Sequence, residues 1–128
     1  MGCDIHAKIQ YCYQDGNDWF DLCDGLDIPR CYELFSYLAG VRQCQGIIPI
    51  YEPRGLPPGE EDWQLSKIYG RDGHSHSYCT FKEFMEGQDA NWILENELIG
   101  YTLWFNIFKL TARYYGEENC RLVFFFDN

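Results

Sequence analysis

Apolar and polar residues alternate over the first part of the chain, from Asp4 to Tyr13. This period-two pattern is typical of a strand that buries one face. The polar face of that strand places Asp4 and His6 side by side. A turn is predicted at residues 15–18, and Trp19 to Leu22 is predicted to return as the second strand of a hairpin.

Three later stretches have the signals of helices. The first is predicted to start at residues 27–30, with Pro29 in its first turn, and to end at Gly40. Thr80 and Glu83 form a capping box at the start of the second helix. The third runs from about residue 101 to 115. Its apolar positions are too hydrophobic for a surface and are predicted to be core: Leu103, Trp104, Ile107, Phe108, Leu110 and Tyr114.

The chain closes with an apolar run, residues 122–126, which is typical of a buried strand. Strands at both ends with helices between them predict a single α+β domain over residues 1–128. We expect a small antiparallel or mixed sheet that includes both terminal strands and is packed by about three helices.

Residues 41–75 form the longest irregular stretch and hold four of the five prolines. Loops of this length in a compact domain are usually either functional or disordered. Ile47, Ile50 and Trp63 would anchor the stretch to the body of the protein. The sequence therefore predicts a long, ordered flap rich in proline and glycine.

The formal net charge is -10, and aromatic residues make up 18% of the chain. This composition favours a folded domain, and the charge argues against duplex DNA or RNA as a partner because a polyanion would be repelled. No apolar run reaches membrane-spanning length, so we expect no membrane partner. The seven cysteines have no CxxC spacing and fit free thiols in a cytoplasm, with a four-cysteine zinc cluster as the alternative.

The histidines give the strongest indication of a site. Two of the three lie in residues 72–77, Asp-Gly-His-Ser-His-Ser, and the third ends the motif Cys-Asp-Ile-His at residues 3–6. In an extended segment His74 and His76 would project to the same side, about 7 Å apart. If that segment meets the first strand, the imidazoles of His6, His74 and His76 and the carboxylate of Asp4 surround one spot.

Two chemistries suit such a group. A divalent metal, zinc or manganese, would be held by Asp4, His6, His74 and His76 and would activate a water molecule. Without a metal, His74 and His76 would act as an acid–base pair, with Asp4 and His6 in support. The structural alternative is that the histidines only cap backbone groups and bond to carboxylates such as Asp72.

Arginines and aromatic residues cluster around the same motif and in the flap. Arginine would grip phosphate, and aromatic rings would stack on a base, although the aromatic residues are individually more typical of core. The residues predicted to bind a ligand are Arg42, Arg54, Arg71, Trp63, Tyr69, Ser77 and Tyr78.

Several short motifs together resemble a family of small bacteriophage proteins. They are the opening Met-Gly-Cys-Asp-Ile-His, residues 38–42 (Leu-Ala-Gly-Val-Arg), residues 54–57 (Arg-Gly-Leu-Pro), the His-Ser-His-Ser motif and the closing Phe-Asp-Asn. The similarity spans nearly the whole chain. It implies a phage origin and the cytoplasm of an infected bacterium as the location, without implying a particular reaction.

By analogy with phage proteins that act against host defence, the leading hypothesis is an enzyme. It would cleave a small nucleotide signal, such as a cyclic dinucleotide, at a phosphodiester. One alternative is a protein that sequesters the same ligand without chemistry, and another is an acidic inhibitor of a host defence protein. The sequence leaves the oligomeric state open, including a homo-oligomer.

Overall fold

The strands form one sheet around the last strand of the chain. The computed structural model describes residues 2–14 and 16–128, so Asp15 of the predicted turn lies outside the described residues. The strands are β1 (Asp4–Tyr11), β2 (Phe20–Asp24), β3 (Gly73–Thr80) and β4 (Cys120–Asp127). They pair antiparallel in the order β2-β1-β4-β3. This confirms the predicted α+β class, with both terminal strands in one sheet.

Five α-helices occur in the described part of the chain, of which the sequence predicted three. They are α1 (Tyr32–Ala39), α2 (Gln64–Tyr69), α3 (Phe81–Glu86), α4 (Ala90–Glu95) and α5 (Leu103–Tyr115). The helices α2 and α4 have six residues each, too few for a helical period to stand out. None of the described helices has the length and hydrophobicity needed to span a membrane.

The helix boundaries follow local capping chemistry. Gly40 ends α1 with φ of 70°, a left-handed conformation in which glycine is not strained. Thr80 and Glu83 form the predicted capping box of α3, with both reciprocal hydrogen bonds present. The predicted start of the first helix at residues 27–30 is wrong, because the N-cap of α1 is Cys31.

One face of the sheet carries the main core. Ile5, Ala7 and Ile9 of β1 and Leu122, Phe124 and Phe126 of β4 are at most 5% exposed and pack against α1, α3, α4 and α5. This face confirms the period-two pattern predicted for the first strand. All seven cysteines carry free thiols, and most of them are buried.

The second face of the sheet is covered as well, by the flap. Val123 and Phe125 form a second cluster with Trp63, and partly buried residues of the flap pack around it. β1 was predicted to have a half-exposed polar face, but Lys8 is only 2% exposed. Its ammonium lies 2.5 Å from a carboxylate oxygen of Glu60 in the flap and 3.0 Å from one of Asp21 in β2. The buried cation therefore ties flap and hairpin to the sheet.

The helix α5 differs from the prediction on its outer side. Trp104 and Phe108 are buried as expected. Leu103, Leu110 and Tyr114 were predicted to be core but are 77%, 67% and 81% exposed. The prediction failed because the helix has apolar residues all round, and only one side can face the sheet.

We expect the substitution Tyr37→Phe to destabilise the fold. The Tyr37 side chain is fully buried, and its hydroxyl donates a hydrogen bond to the backbone carbonyl of Phe84 in α3. Without this donor, the carbonyl has no hydrogen-bond partner in an apolar interior. We expect the free energy of unfolding to fall by about 1–3 kcal/mol. Urea denaturation measures the change. The control is Tyr101→Phe at a tyrosine that is 81% exposed, and equal midpoints for the two variants would contradict the expected role.

Candidate functional site

Three of the sequence motifs meet at one end of the sheet. Asp4 of β1 is paired with Asp127 of β4, which in turn is paired with Gly73 of β3. The opening motif, the first residues of the His-Ser-His-Ser segment and the closing Phe-Asp-Asn are therefore adjacent across three strands. β1 and β3 do not touch each other, because β4 lies between them.

His6 and Asp127 form a hydrogen-bonded pair on the flap-covered face of this end. The Nε2 atom of His6 lies 2.9 Å from Oδ2 of Asp127, and the side chains are 17% and 21% exposed. The His6 ring stacks on Phe125 with 5.0 Å between centroids, and the Tyr69 ring lies 4.1 Å away. A carboxylate on one ring nitrogen fixes the orientation of the imidazole and leaves the other nitrogen for a ligand or a proton.

A bulge at Ser75 separates the other two histidines. Ser75 has φ of 55°, and the pairing of β3 with β4 shifts between His74 and Ser77. A bulge inserts one residue and re-aims the side chains around it. The prediction that His74 and His76 project to the same side is therefore wrong.

His76 lies on the flap-covered face and is held there. Its ring stacks on Phe125 at 5.1 Å, on the side opposite β1, and its Nε2 atom is 3.1 Å from Oγ of Ser66 in α2. Burial, and to a smaller extent the neighbouring His74, lowers the pKa of His76 below its ordinary value. This histidine packs between sheet and flap.

His74 lies opposite Phe126, a residue of the helix-covered face. Its Nε2 atom is 2.6 Å from Oδ1 of Asn128, and its Nδ1 atom is 3.0 Å from Oγ of Ser75. His6 and His74 thus reach Asp127 and Asn128 from the strands on either side of β4 and from opposite faces of the sheet. They are not arranged to act on one ligand atom together.

The four residues predicted as metal ligands do not form a ligand group. Asp4 turns to Arg30, which donates two hydrogen bonds of 3.0 Å to its carboxylate and holds the pKa of Asp4 below its usual value. Across residues 2–14 and 16–128, no group of three or more His, Cys, Asp or Glu side chains could hold a metal ion. Instead, His6 bonds to Asp127 and His76 bonds to Ser66. His74 bonds to both Asn128 and the neighbouring Ser75.

Of the predicted phosphate-binding arginines, Arg54 fastens the flap. Its guanidinium donates to both carboxylate oxygens of Glu83 and to the carbonyl of Tyr78, and it lies over the Tyr51 ring at 3.9 Å. Its backbone N–H donates to Oγ of Ser77, which is 1% exposed. Arg54, Ser77 and Tyr78 therefore act in the flap's attachment to β3.

Arg42 and Arg71 lie nearer the end of the sheet. Arg42 lies 5.4 Å from the centroid of the Tyr32 ring, and its hydrogen bond to the Cys3 thiol opposes the rise in pKa that burial causes there. The Tyr32 hydroxyl accepts a hydrogen bond from the backbone N–H of Cys3. Arg71 is exposed in the single 3₁₀ turn that precedes β3.

The aromatic residues that were predicted to bind a ligand differ in how deeply they are buried. Trp63 is 5% exposed, packs edge-on against Phe125 and donates from its indole nitrogen to Asp24, so it belongs to the interior of the second face. Tyr69 keeps one side toward solvent while it contacts His6. Tyr69 and Tyr78 both keep part of the side chain in contact with solvent.

A depression of about 390 Å³ opens at this end of the sheet. Its walls are Gly2, Tyr69, Asp72, Asp127 and Asn128. Two of them, Tyr69 and Asp127, are the residues that hold His6. Its volume falls within the range of small-ligand sites.

The sequence did not point to Arg30, which completes this end of the sheet. The Arg30 guanidinium packs against Gly2, where a Cβ atom would lie 2.1 Å from its Nη1. Asp127 and Asn128 were noted as part of a motif but were given no role. The signal that marks them is the closing Asp-Asn itself, two polar residues directly after a buried strand.

We expect acid to weaken the attachment of the flap through Glu83. Burial opposes ionisation of this carboxyl, but hydrogen bonds from Arg54, the Thr80 backbone and Tyr51 outweigh it and lower its pKa to about 2. A depressed pKa stabilises the fold above the unfolded value near 4.5, and this contribution is lost as pH falls toward 2. Glu83→Gln should therefore lower stability at pH 7 by about 1–3 kcal/mol and flatten the loss between these pH values.

Chemical denaturation at a series of pH values measures this effect. Glu86→Gln on the same helix is the control, since the Glu86 side chain is 64% exposed and 3.9 Å from its only ion-pair partner in the described chain, Lys82. If Glu83→Gln and Glu86→Gln have the same pH profile, Glu83 does not anchor the flap.

The comparisons with known proteins add no relative. No family model, no curated protein and no solved structure matches this chain. The resemblance to small bacteriophage proteins stays a prediction from the sequence motifs.

Proposed function

We propose that the end of the sheet binds a small phosphate-containing ligand and that His6 acts there as a general base. The observation that supports this most directly is that Tyr69 and Asp127 contact His6 and also line the 390 Å³ depression. Asp127 accepts a hydrogen bond from Nε2 of His6, so Nδ1 is the nitrogen with a free lone pair. We keep a nucleotide as the ligand class, by analogy with phage proteins that act against host defence.

The reaction is hydrolysis of a phosphodiester. His6 takes a proton from a water molecule, the water oxygen bonds to phosphorus, and the bond from phosphorus to the leaving oxygen breaks. The leaving oxygen takes a proton from solvent and the His6 imidazolium returns its proton to solvent, so that one water molecule is consumed overall. Asp127 stabilises the imidazolium that forms, in the way a carboxylate supports histidine in other acid–base sites.

The local charge is compatible with an anionic ligand despite the acidity of the chain. The carboxylate of Asp4 is neutralised by Arg30, and that of Asp127 is bonded to His6. Arg71 directly precedes Asp72, the remaining carboxylate in the wall. Asp127 is paired with a histidine and not with an arginine, so Arg30 and Arg71 are the cations that would meet a phosphate at this end of the sheet.

Sequestration without cleavage is the second candidate. It is favoured by the distance between the histidines, since His6 and His74 flank β4 and are separated by two strand spacings, roughly 10 Å. A single general base without a paired acid suits slow chemistry or none. Tyr69 and the arginines would then hold the ligand.

The third hypothesis is an acidic inhibitor of a host protein. The acidic surface that it requires is smaller in the structure than in the sequence. Glu60 belongs to the acidic run of residues 60–62, but its side chain is 15% exposed and bonded to Lys8. Asp62 is 91% exposed and pairs with Lys67. No observation favours this hypothesis over the other two.

The test is a chromatographic assay of the wild type with cyclic mononucleotides and dinucleotides. If His6 is the base, His6→Gln should lower turnover by about 10²- to 10⁴-fold. Asp127→Asn, which keeps the size of the side chain, should lower kcat more than it raises KM. Lys67→Gln serves as a control, because that lysine is 53% exposed in α2 and outside the depression.

Calorimetry with the same ligands separates the two candidates. Ligand that binds with loss of affinity in Tyr69→Ala, and returns intact after heat denaturation of the complex, would establish sequestration. Neither turnover nor binding of any ligand in the panel would exclude both candidates and the site.

A further inference from the structure

The outer side of α5 presents a row of exposed apolar side chains. Leu103, Leu110 and Tyr114 are 77%, 67% and 81% exposed, and Ile107 is half-buried beside them. Their spacing along the chain is four, three and four residues, which is the spacing of a helix seam that packs against another helix. We call Leu103, Ile107, Leu110 and Tyr114 the α5 ridge.

A groove of about 380 Å³ runs along one side of the α5 ridge, between α5 and β2. It is lined by Leu22, Thr111 and Tyr115 as well as ridge residues. A second depression, of about 630 Å³ between α5 and α3, contains no ridge residue and has Lys109 and Arg113 in its walls. The ridge surface thus carries both projecting apolar side chains and an apolar groove. A contact between two copies related by a two-fold axis requires this self-complementarity.

The apolar surface continues beyond the helix. Phe20 and Leu22 of β2 are 43% and 44% exposed and lie beside it, and Tyr101 before the helix is 81% exposed. Soluble monomers rarely expose contiguous apolar patches beyond a few hundred Å². A standard interface buries roughly 800 Å² on each partner, so a contact between two copies would use the α5 ridge together with Phe20 and Leu22 of β2.

The charge distribution lowers the electrostatic repulsion of a second copy at this surface. The chain holds 20 acidic residues, but none lies in the 13 residues of α5. Its two cations, Lys109 and Arg113, form no ion pair within residues 2–14 and 16–128. Two molecules of charge -10 repel each other over most orientations, and this face is where they would approach with the least repulsion.

We infer that the chain forms a two-fold symmetric dimer in which α5 packs antiparallel against α5 of a second copy. The ridge centre lies between Ile107 and Leu110, so these residues flank the axis and Leu103 lies opposite Tyr114 of the other copy. Arg113 then faces the amide Asn106 instead of another cation. The antiparallel helix dipoles are also favourably arranged.

The interface leaves the proposed ligand site free. The ridge lies on the helix-covered side of the sheet, whereas His6 is on the flap-covered side. Dimerisation and ligand binding are therefore tested separately.

Sedimentation equilibrium of the wild type, up to about 1 mM chain, detects a dimer with a Kd near 1 mM or below. Leu110→Glu and Leu110→Lys should each raise the Kd by roughly tenfold or more, because like charges meet at the axis. A mixture of the two variants should associate again, since opposite charges then meet. Ile68→Glu is the control, at an aliphatic residue that is 76% exposed in α2.

Circular dichroism melting establishes that the variants are folded. A monomeric wild type at the highest concentration would overturn the inference, as would a dimer that Leu110→Glu leaves intact. A mixture that remains monomeric would also overturn it, because the contact would then not be symmetric about Leu110. If the α5 ridge binds a different acidic protein and never a second copy, the inference is likewise wrong.

Discussion

The structure depends on the burial of β4 from both sides. Residues 120–126 of this strand are all buried, and Leu122, Val123, Phe124, Phe125 and Phe126 have no exposed surface. A strand with apolar side chains on both faces needs a cover on each. The helices cover one face and the flap covers the other, so the position of β4 explains why 128 residues include so long a connection between α1 and β3.

The strand patterns and capping signals predicted most of this fold. The alternation in β1, the apolar run of β4 and the Thr80 capping box each depend on neighbouring residues, which the sequence shows directly. The burial of Lys8 could not be predicted, because its partners Asp21 and Glu60 are distant in the chain. The exposure of Leu110 was equally hidden, since hydrophobicity alone does not say which side of a helix meets the sheet.

The arrangement of the candidate site differs from the prediction. The sequence grouped the first strand and the His-Ser-His-Ser segment around one spot, whereas β4 lies between them in the structure. The bulge at Ser75, where φ is positive, places His76 on the face opposite His74. No pattern in the sequence predicts such a bulge. Arg30 lies in a segment without a motif, and its position became evident only from the close approach to Gly2.

The buried ammonium of Lys8 makes any opening of the flap an all-or-none event. A small lift of the flap separates the Lys8 ammonium from Glu60 while Asp21 of β2 stays bonded to it. Loss of one partner from a buried ion pair costs up to about 3–5 kcal/mol. Water must enter as the flap leaves, so a small movement of the flap does not hydrate the ammonium. The covered face of the sheet should therefore exchange its amide hydrogens through one cooperative opening and not through gradual fraying.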